Sequence, residues 1–186
     1  MKNKALWITR TAAMLALLIA LQWVTSFVPK PAGQYITGSC VNAVLALSVL
    51  LCGAGSGLTV AFLSPVFAFL FGIAPNLVTV PAIMVGNAVF AALIGLTKKV
   101  EAKWQKIGLY ALAAVGKFGI LYVLVTYVIC GVLADELMAQ GLLKAPMLKV
   151  LPASFALPQL ITALIGGALA LVAAPRIRLT WRTDGK

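Results

Sequence analysis

The sequence predicts an all-α membrane protein, a bundle of six transmembrane helices, on three observations. Hydrophobic residues make up 62% of the chain and charged residues only 10%, against about 25% in an ordinary soluble domain. The mean hydropathy is +1.06, and the apolar residues fall into six continuous runs, not into the short alternating segments of a barrel. Six spans of about 20 residues each fill most of the 186 positions, so residues 1–186 are expected to form a single domain.

The first three runs are separated by breaks that contain proline or glycine. Residues 6–28 form the first run, which is too long for the apolar core of a signal peptide, so we expect it to remain in the protein as a span. A break at residues 29–33 precedes the second run, residues 35–51, and a glycine cluster at residues 53–57 closes it. The third run covers residues 58–73. The glycine cluster predicts a tight, uncharged turn.

The last three runs each end near charged residues. The fourth, residues 77–96, ends at a lysine-rich stretch, and the fifth covers residues 107–133. Residues 134–149 mix acidic and basic residues with Leu and Met, which predicts a short amphipathic helix at the membrane interface. The sixth run, residues 150–174, is expected to be one continuous span before an arginine-rich tail.

The basic residues predict the orientation of the bundle. Most of the 15 Lys and Arg residues lie in the N-terminal segment, in the connection between the fourth and fifth runs, and in the C-terminal segment. An even number of spans places all three segments on one side of the membrane, and the positive-inside rule makes that side cytoplasmic, with both termini. Topology therefore accounts for the net charge of +11, and no nucleic-acid partner is expected. These residues are Lys2, Lys4, Arg10, Lys98, Lys99, Lys103, Lys106, Arg176, Arg178, Arg182 and Lys186.

Several kinds of chemistry lack the residues they need. The chain has no His, its three cysteines are far apart in apolar runs, and none of its acidic residues falls within a span. Proton-coupled carriers, membrane proteases and metal sites usually require such groups at bilayer depth, and no phosphate-binding loop is present. We therefore expect no enzyme activity, no metal and no cofactor, and any uphill transport needs a partner that supplies energy. The acidic residues are Glu101, Asp135, Glu136 and Asp184.

Polar residues inside the spans predict a ligand site. Asn87 and Lys117 each lie eleven residues from an expected membrane boundary, so both are near mid-depth. An ammonium group there must face the bundle interior or water. Lys117 either pairs with an anionic substrate group, or bonds to Asn87 or backbone carbonyls and only specifies packing, or is buried as the neutral amine. The candidate substrate-binding residues are Gln34, Tyr35, Asn42, Asn76, Asn87, Lys117, Tyr122 and Gln159.

The first run carries a stripe of small residues. Ala12, Ala16 and Ala20 are spaced four apart, which places them on one face of a helix. Such a stripe allows another helix to approach closely. The approaching helix belongs either to this protein, as ordinary internal packing, or to a partner.

Together, the compact six-span chain, the short basic N-terminus, the alanine stripe, an extended first outer loop and the missing energy source resemble the S components of energy-coupling factor (ECF) transporters. The resemblance implies a subunit of a bacterial cell membrane that captures a vitamin or vitamin-like molecule from outside. It also implies that Ala12, Ala16 and Ala20 dock on a transmembrane coupling (T) protein, which two cytoplasmic ATPases drive. The pocket of such proteins lies in the outer half, covered by loops that match residues 29–37 and 74–79 here.

The resemblance does not assign the substrate, and two other functions remain open. The polar stretches do not closely resemble those of the riboflavin, thiamine or biotin members. A stand-alone facilitator or channel for small solutes would also use a polar-lined bundle. A membrane scaffold without a ligand would use the mid-depth polar groups only to join its helices.

Overall fold

The computed structural model describes residues 2–29, 31–74 and 76–183, and in this part of the chain it contains helices and no strand. Lys30, Asp184 and Lys186 lie outside the described residues, as do the side chains of Lys2, Arg178 and Arg182. The α-helices are α1 (Lys2–Ser26), α2 (Ala32–Leu47), α3 (Ala54–Leu70), α4 (Val80–Leu96), α5 (Lys103–Tyr122), α6 (Ala134–Ala139), α7 (Met147–Ser154) and α8 (Leu157–Thr183).

The six apolar runs all form helices, so the predicted all-α membrane fold is confirmed. Five helical segments are long and apolar enough to cross a membrane, and α3, with 17 residues, is a shorter apolar helix. The five segments are Lys4–Ser26, Ala32–Cys52, Leu77–Lys99, Lys103–Val132 and Met147–Ile177.

Two of the long segments end in π-helical turns. α2 continues through Ser48–Cys52, and α5 continues through Val123–Val132. Gly53, with a φ of +105°, then turns the chain directly into α3. That backbone conformation is rarely adopted by a residue with a Cβ, so the glycine makes the tight, uncharged turn possible.

Two boundary predictions are wrong. α2 begins at Ala32, so most of the segment predicted as an extended outer loop, residues 29–37, is helical, and Gln34 projects from a helix. The sixth run does not form one continuous helix, because α7 ends at Ser154 and α8 begins at Leu157. Pro158 follows the first residue of α8, where the missing N–H of proline removes no helical hydrogen bond.

The helices are arranged so that α2 packs most extensively on α8, and α4 packs between α3 and α5. At one end of the bundle the hydroxyl groups of Thr11 and Ser56 are hydrogen-bonded to each other at 3.0 Å, next to the turn between α2 and α3. The connection between α4 and α5, with Lys98 and Lys99, lies at the same end. We call it the basic end. A core of Leu18, Val49, Phe90 and Ile94 fills this half of the bundle.

Candidate functional site

A cavity of about 360 Å³ opens in the half of the bundle opposite the basic end. Its walls come from α1 to α5 and from α7 and α8. On each of the six long helices, the lining residue farthest from that open end has a polar side chain. These six residues are Gln22, Asn42, Ser64, Asn87, Lys117 and Gln159. Each spanning helix therefore contributes a polar side chain to the cavity wall, and Lys117 is hydrogen-bonded to Asn42 and Asn87 on the floor of the cavity.

Lys117 lies at the centre of this hydrogen-bonded group. Its side chain is only 3% exposed. Its Nζ donates to Oδ1 of Asn42 at 2.6 Å and to Oδ1 of Asn87 at 2.7 Å, and it lies 5.7 Å from the ring centroid of Phe90. One side chain of α5 thus joins α2 and α4, and two of the three donors of its ammonium group are used.

Asn42 is fixed by further contacts. Its Nδ2 donates to the carbonyl oxygen of Gly38 at 2.9 Å and to Oγ1 of Thr162 at 3.4 Å. A Cβ added to Gly166 of α8 would lie 2.5 Å from Cβ of Asn42, so α8 passes directly behind this side chain. The amide is therefore oriented before any ligand arrives.

The charge of the ammonium group is not balanced by a carboxylate in the part of the chain that the structure describes. Glu101, Asp135 and Glu136 are all exposed and none lines the cavity. Asn42 and Asn87 are neutral, so they satisfy hydrogen bonds without supplying a negative charge. This arrangement gives the cavity a positive electrostatic potential at its floor when Lys117 is protonated.

The structure brings five of the eight predicted substrate-binding residues to the cavity wall. They are Gln34, Asn42, Asn87, Lys117 and Gln159. The Nε2 of Gln34 donates to the carbonyl oxygen of Ser154 at 3.0 Å and so ties α2 to α7 beside the cavity.

The other three predicted residues are not among those that line the cavity. Tyr35 is half-buried on α2. Tyr122 packs against other aromatic rings, with its centroid 5.9 Å from that of Phe118. Asn76 accepts from the backbone N–H of Val78, and its Nδ2 donates to the carbonyl oxygen of Leu142 at 2.8 Å. Asn76 therefore holds together two of the connections at the open end of the bundle.

Of the six polar residues that lie deepest on their helices, two were absent from the predicted set, namely Gln22 of α1 and Ser64 of α3. The signal for Gln22 is present in the sequence, because it is an isolated amide within the apolar run 6–28, the same kind of feature that identified Asn42. Ser64 offers little signal, since a serine in a helix usually bonds to its own backbone.

The alanine stripe lies on the outside of the bundle. Ala12, Ala16 and Ala20 are all exposed, whereas Met14 and Leu18 are buried on the inner face of α1. The alternative that the stripe serves internal packing therefore does not describe this structure. A face of small side chains is left for whatever lies beside α1.

No group of three or more His, Cys, Asp or Glu side chains that could hold a metal ion occurs among the described residues. In comparisons with known proteins, a family model described as "ECF transporter, substrate-specific component" matches residues 10–178. No curated protein and no solved structure matches the chain. The matched range includes all of the cavity residues and the alanine stripe.

Proposed function

The chain belongs to the family of substrate-specific components of ECF transporters, and from this premise we propose that it captures a small vitamin-like molecule with an anionic group. Members of this family are multi-pass membrane subunits of transporters, not enzymes. In the proposed function, residues 1–186 act as one six-helix binding unit in a bacterial cell membrane. The cavity opens to the outside, and the basic end faces the cytoplasm.

The observation that carries the proposal is the ammonium group of Lys117 on the cavity floor. A charged group in the membrane is costly unless it meets water or a partner of opposite charge. Its two amide partners leave one donor and the whole charge for a ligand. A carboxylate or similar group that enters the cavity would supply both the missing acceptor and the missing counter-charge.

The size and composition of the cavity fit a small metabolite. A volume of about 360 Å³ lies at the lower end of the range of roughly 300 to 1,000 Å³ that is typical of ligand pockets. Apolar side chains such as Ile83, Leu151 and Phe155 complete its walls. Burial of apolar ligand surface against them would supply affinity, and the six polar side chains would fix orientation.

The exposed alanine stripe supports a partner that provides the energy. We propose that Ala12, Ala16 and Ala20 dock on the transmembrane coupling protein of the transporter, which two cytoplasmic ATPases drive. Small side chains let two helices approach closely within a membrane, where packing and not the hydrophobic effect drives association. No cofactor is part of the proposed mechanism.

An inventory of bound molecules tests substrate capture. The full chain is purified in detergent, and its small molecules are released by denaturation and identified by mass spectrometry. We expect one anionic compound to be enriched in the wild-type protein and depleted from Lys117→Met. A wild-type protein that retains no small molecule, and that none from a metabolite panel stabilises, would contradict capture and favour a scaffold.

Reconstitution tests the need for an energy source. Vesicles that contain this chain with the coupling protein and both ATPases are expected to accumulate the identified compound when ATP is present. Vesicles with ATPases inactivated in their Walker motifs serve as the control. Accumulation against a gradient by this chain alone would overturn the proposal.

A further inference from the structure

Two cavity side chains have buried polar atoms without any hydrogen-bond partner among the described residues. The Oε1 of Gln22 and the Oγ of Ser64 are both in this state, in side chains that are 6% and 1% exposed. Both residues line the cavity. An unpaired buried polar atom destabilises a fold, so its place on the wall of an otherwise organised cavity points to a ligand that completes the bond.

The unpaired hydroxyl of Ser64 differs from most of the other helical hydroxyl groups, and of the two buried Ser and Thr hydroxyls without a partner in the described chain, Ser64 and Thr126, only Ser64 lines the cavity. Nine of the others donate to a backbone carbonyl three or four residues earlier in their own helix or turn, as is usual for Ser and Thr in membrane helices. Thr25, which also lines the cavity, is one of these. Ser64 makes no such bond. The nine are Thr9, Thr11, Thr25, Ser26, Ser48, Thr59, Thr79, Thr97 and Thr162.

We propose that Gln22 and Ser64 form a second polar contact of the cavity, which binds an uncharged group with an N–H or O–H donor. The Oε1 of Gln22 accepts from that donor, and the hydroxyl of Ser64 donates to or accepts from the same group. This inference rests on the proposed function, because it assigns the end of the substrate that Lys117 does not hold. The substrate class is then a small carboxylic acid that also carries an amide or hydroxyl donor.

The charge pattern separates this class from cationic ligands. No acidic side chain among the described residues lines the cavity, so an ammonium-bearing molecule would meet Lys117 without a counter-charge. The two contacts also come from different helices, because Gln22 and Ser64 lie on α1 and α3, whereas the Lys117 cluster joins α2, α4 and α5. One molecule that bridges them would touch five of the six spanning helices.

The test uses a panel of N-acyl amino acids as the probes, each with an N-methyl analogue that lacks the N–H and a methyl ester that lacks the carboxylate. Binding to the full detergent-purified chain is measured by calorimetry and by the shift in melting temperature. The tightest wild-type binders are expected to be acids with an intact N–H. N-methylation should weaken these about tenfold, as expected for one lost hydrogen bond.

Variants identify the residues that contact the donor. In Gln22→Leu, affinity for the parent acid should fall about tenfold, and N-methylation should have little further effect. Ser64→Ala should also weaken binding. Without a ligand, both variants should melt at the wild-type temperature or above it, because each removes an unpaired buried atom. Gln105→Leu, at an exposed site of α5, and Thr59→Ala, whose hydroxyl bonds to Gly55, are the matched controls and should bind like wild type.

The outcomes distinguish this inference from the function on which it rests. Tight binding of the acids that is insensitive to N-methylation and to both variants would overturn the second contact and leave capture by Lys117 standing. Equal binding of acids and esters that still depends on Gln22 would support the second contact and contradict the anionic group. If no panel member binds and the purified chain retains only an acid without a donor, the second contact fails and capture stands. If it retains no small molecule and none from a metabolite panel stabilises it, both proposals fail.

Discussion

The candidate site is built from two amides around a lysine, and the charge of each side chain explains this choice. A carboxylate in place of Asn42 or Asn87 would pair permanently with Lys117 and cancel its charge. The neutral amide oxygens, at 2.6 and 2.7 Å, hold the ammonium group in position instead. Recognition of an anion requires a positive group that is held in position before the ligand arrives and whose charge is not already neutralised. The two amides give Lys117 both properties.

Lys117→Met tests this role directly. Removal of the charge should weaken binding of the anionic compound by more than tenfold, which is a loss of about 1.4 kcal/mol or more. Calorimetry on the purified chain measures the change. Lys103→Met, an exposed position at the start of the same helix, is the matched control and should bind like wild type. Unchanged affinity in Lys117→Met would show that Lys117 does not pair with the anionic group of the ligand.

Substitutions at Asn87 distinguish a role in ligand binding from a role in helix packing. Asn87→Ala should lower affinity, whereas a variant that melts earlier but binds normally would assign Asn87 to packing alone. Asn87→Asp is the sharper change, because it puts a carboxylate next to the Lys117 ammonium group with almost no change in shape. We expect this variant to keep its melting temperature or raise it, while affinity for the anionic compound falls at least as far as in Lys117→Met. Calorimetry and thermal melts of both variants, run together, check these expectations.

The depth of a residue in its span could be predicted from the sequence, but its direction could not. Distances to the charged boundaries placed Asn87 and Lys117 at one level, and the structure brings them into contact. Tyr122 lies five residues beyond Lys117, which turns it by about 140° around the helix axis, away from the cavity. Gln22 was missed although its isolated amide within an apolar run is the same kind of signal as that of Asn42.

Among the elements, the contact between α2 and α8 determines the geometry of the site. Gly166 lets α8 lie against Ser39 and Asn42 without an intervening side chain, and Thr162, one turn earlier, meets Gly38 and Asn42. The close approach positions the asparagine that holds Lys117. A change in this helix contact should therefore alter a site to which Gly166 contributes no polar group.

Gly166→Ala tests that coupling. The added Cβ would lie 2.6 Å from the carbonyl oxygen of Ser39, so α8 must move away, and overpacking of this kind typically costs about 1 to 3 kcal/mol. We expect both a lower melting temperature and weaker binding. Gly108→Ala, on α5, meets nothing within 4 Å and is the control. It should be as stable as wild type or more stable, because alanine favours a helix over glycine.

Element boundaries show where hydropathy stops being informative. The six runs were visible because each is continuously apolar, yet the break between α7 and α8 lies inside one such run, at Phe155 and Ala156. A buried turn and a buried helix have the same composition, so the break leaves no mark on hydropathy. The early start of α2 was hidden for the opposite reason, because its first turns carry polar residues such as Gln34 that resemble a loop.

Across the whole molecule, binding and docking are assigned to different faces. The cavity lies inside one half of the bundle, and the alanine stripe lies on the outside of α1. α1 takes part in both, with Gln22 facing the cavity and Ala20 exposed two residues earlier. Because these faces are separate, a substitution at one should leave the other intact.

Ala16→Trp tests that separation. Ala16 is exposed, so a bulky side chain there meets no atom of the bundle core and should leave folding and ligand affinity unchanged. On a docking face the same side chain would prevent close approach of a partner helix. We expect ATP-driven uptake in vesicles with the complete transporter to be abolished. Val115→Trp, on an exposed and lipid-facing position of α5, should transport normally. Equal loss of uptake and binding in Ala16→Trp, or normal uptake, would show that the stripe is not the docking face.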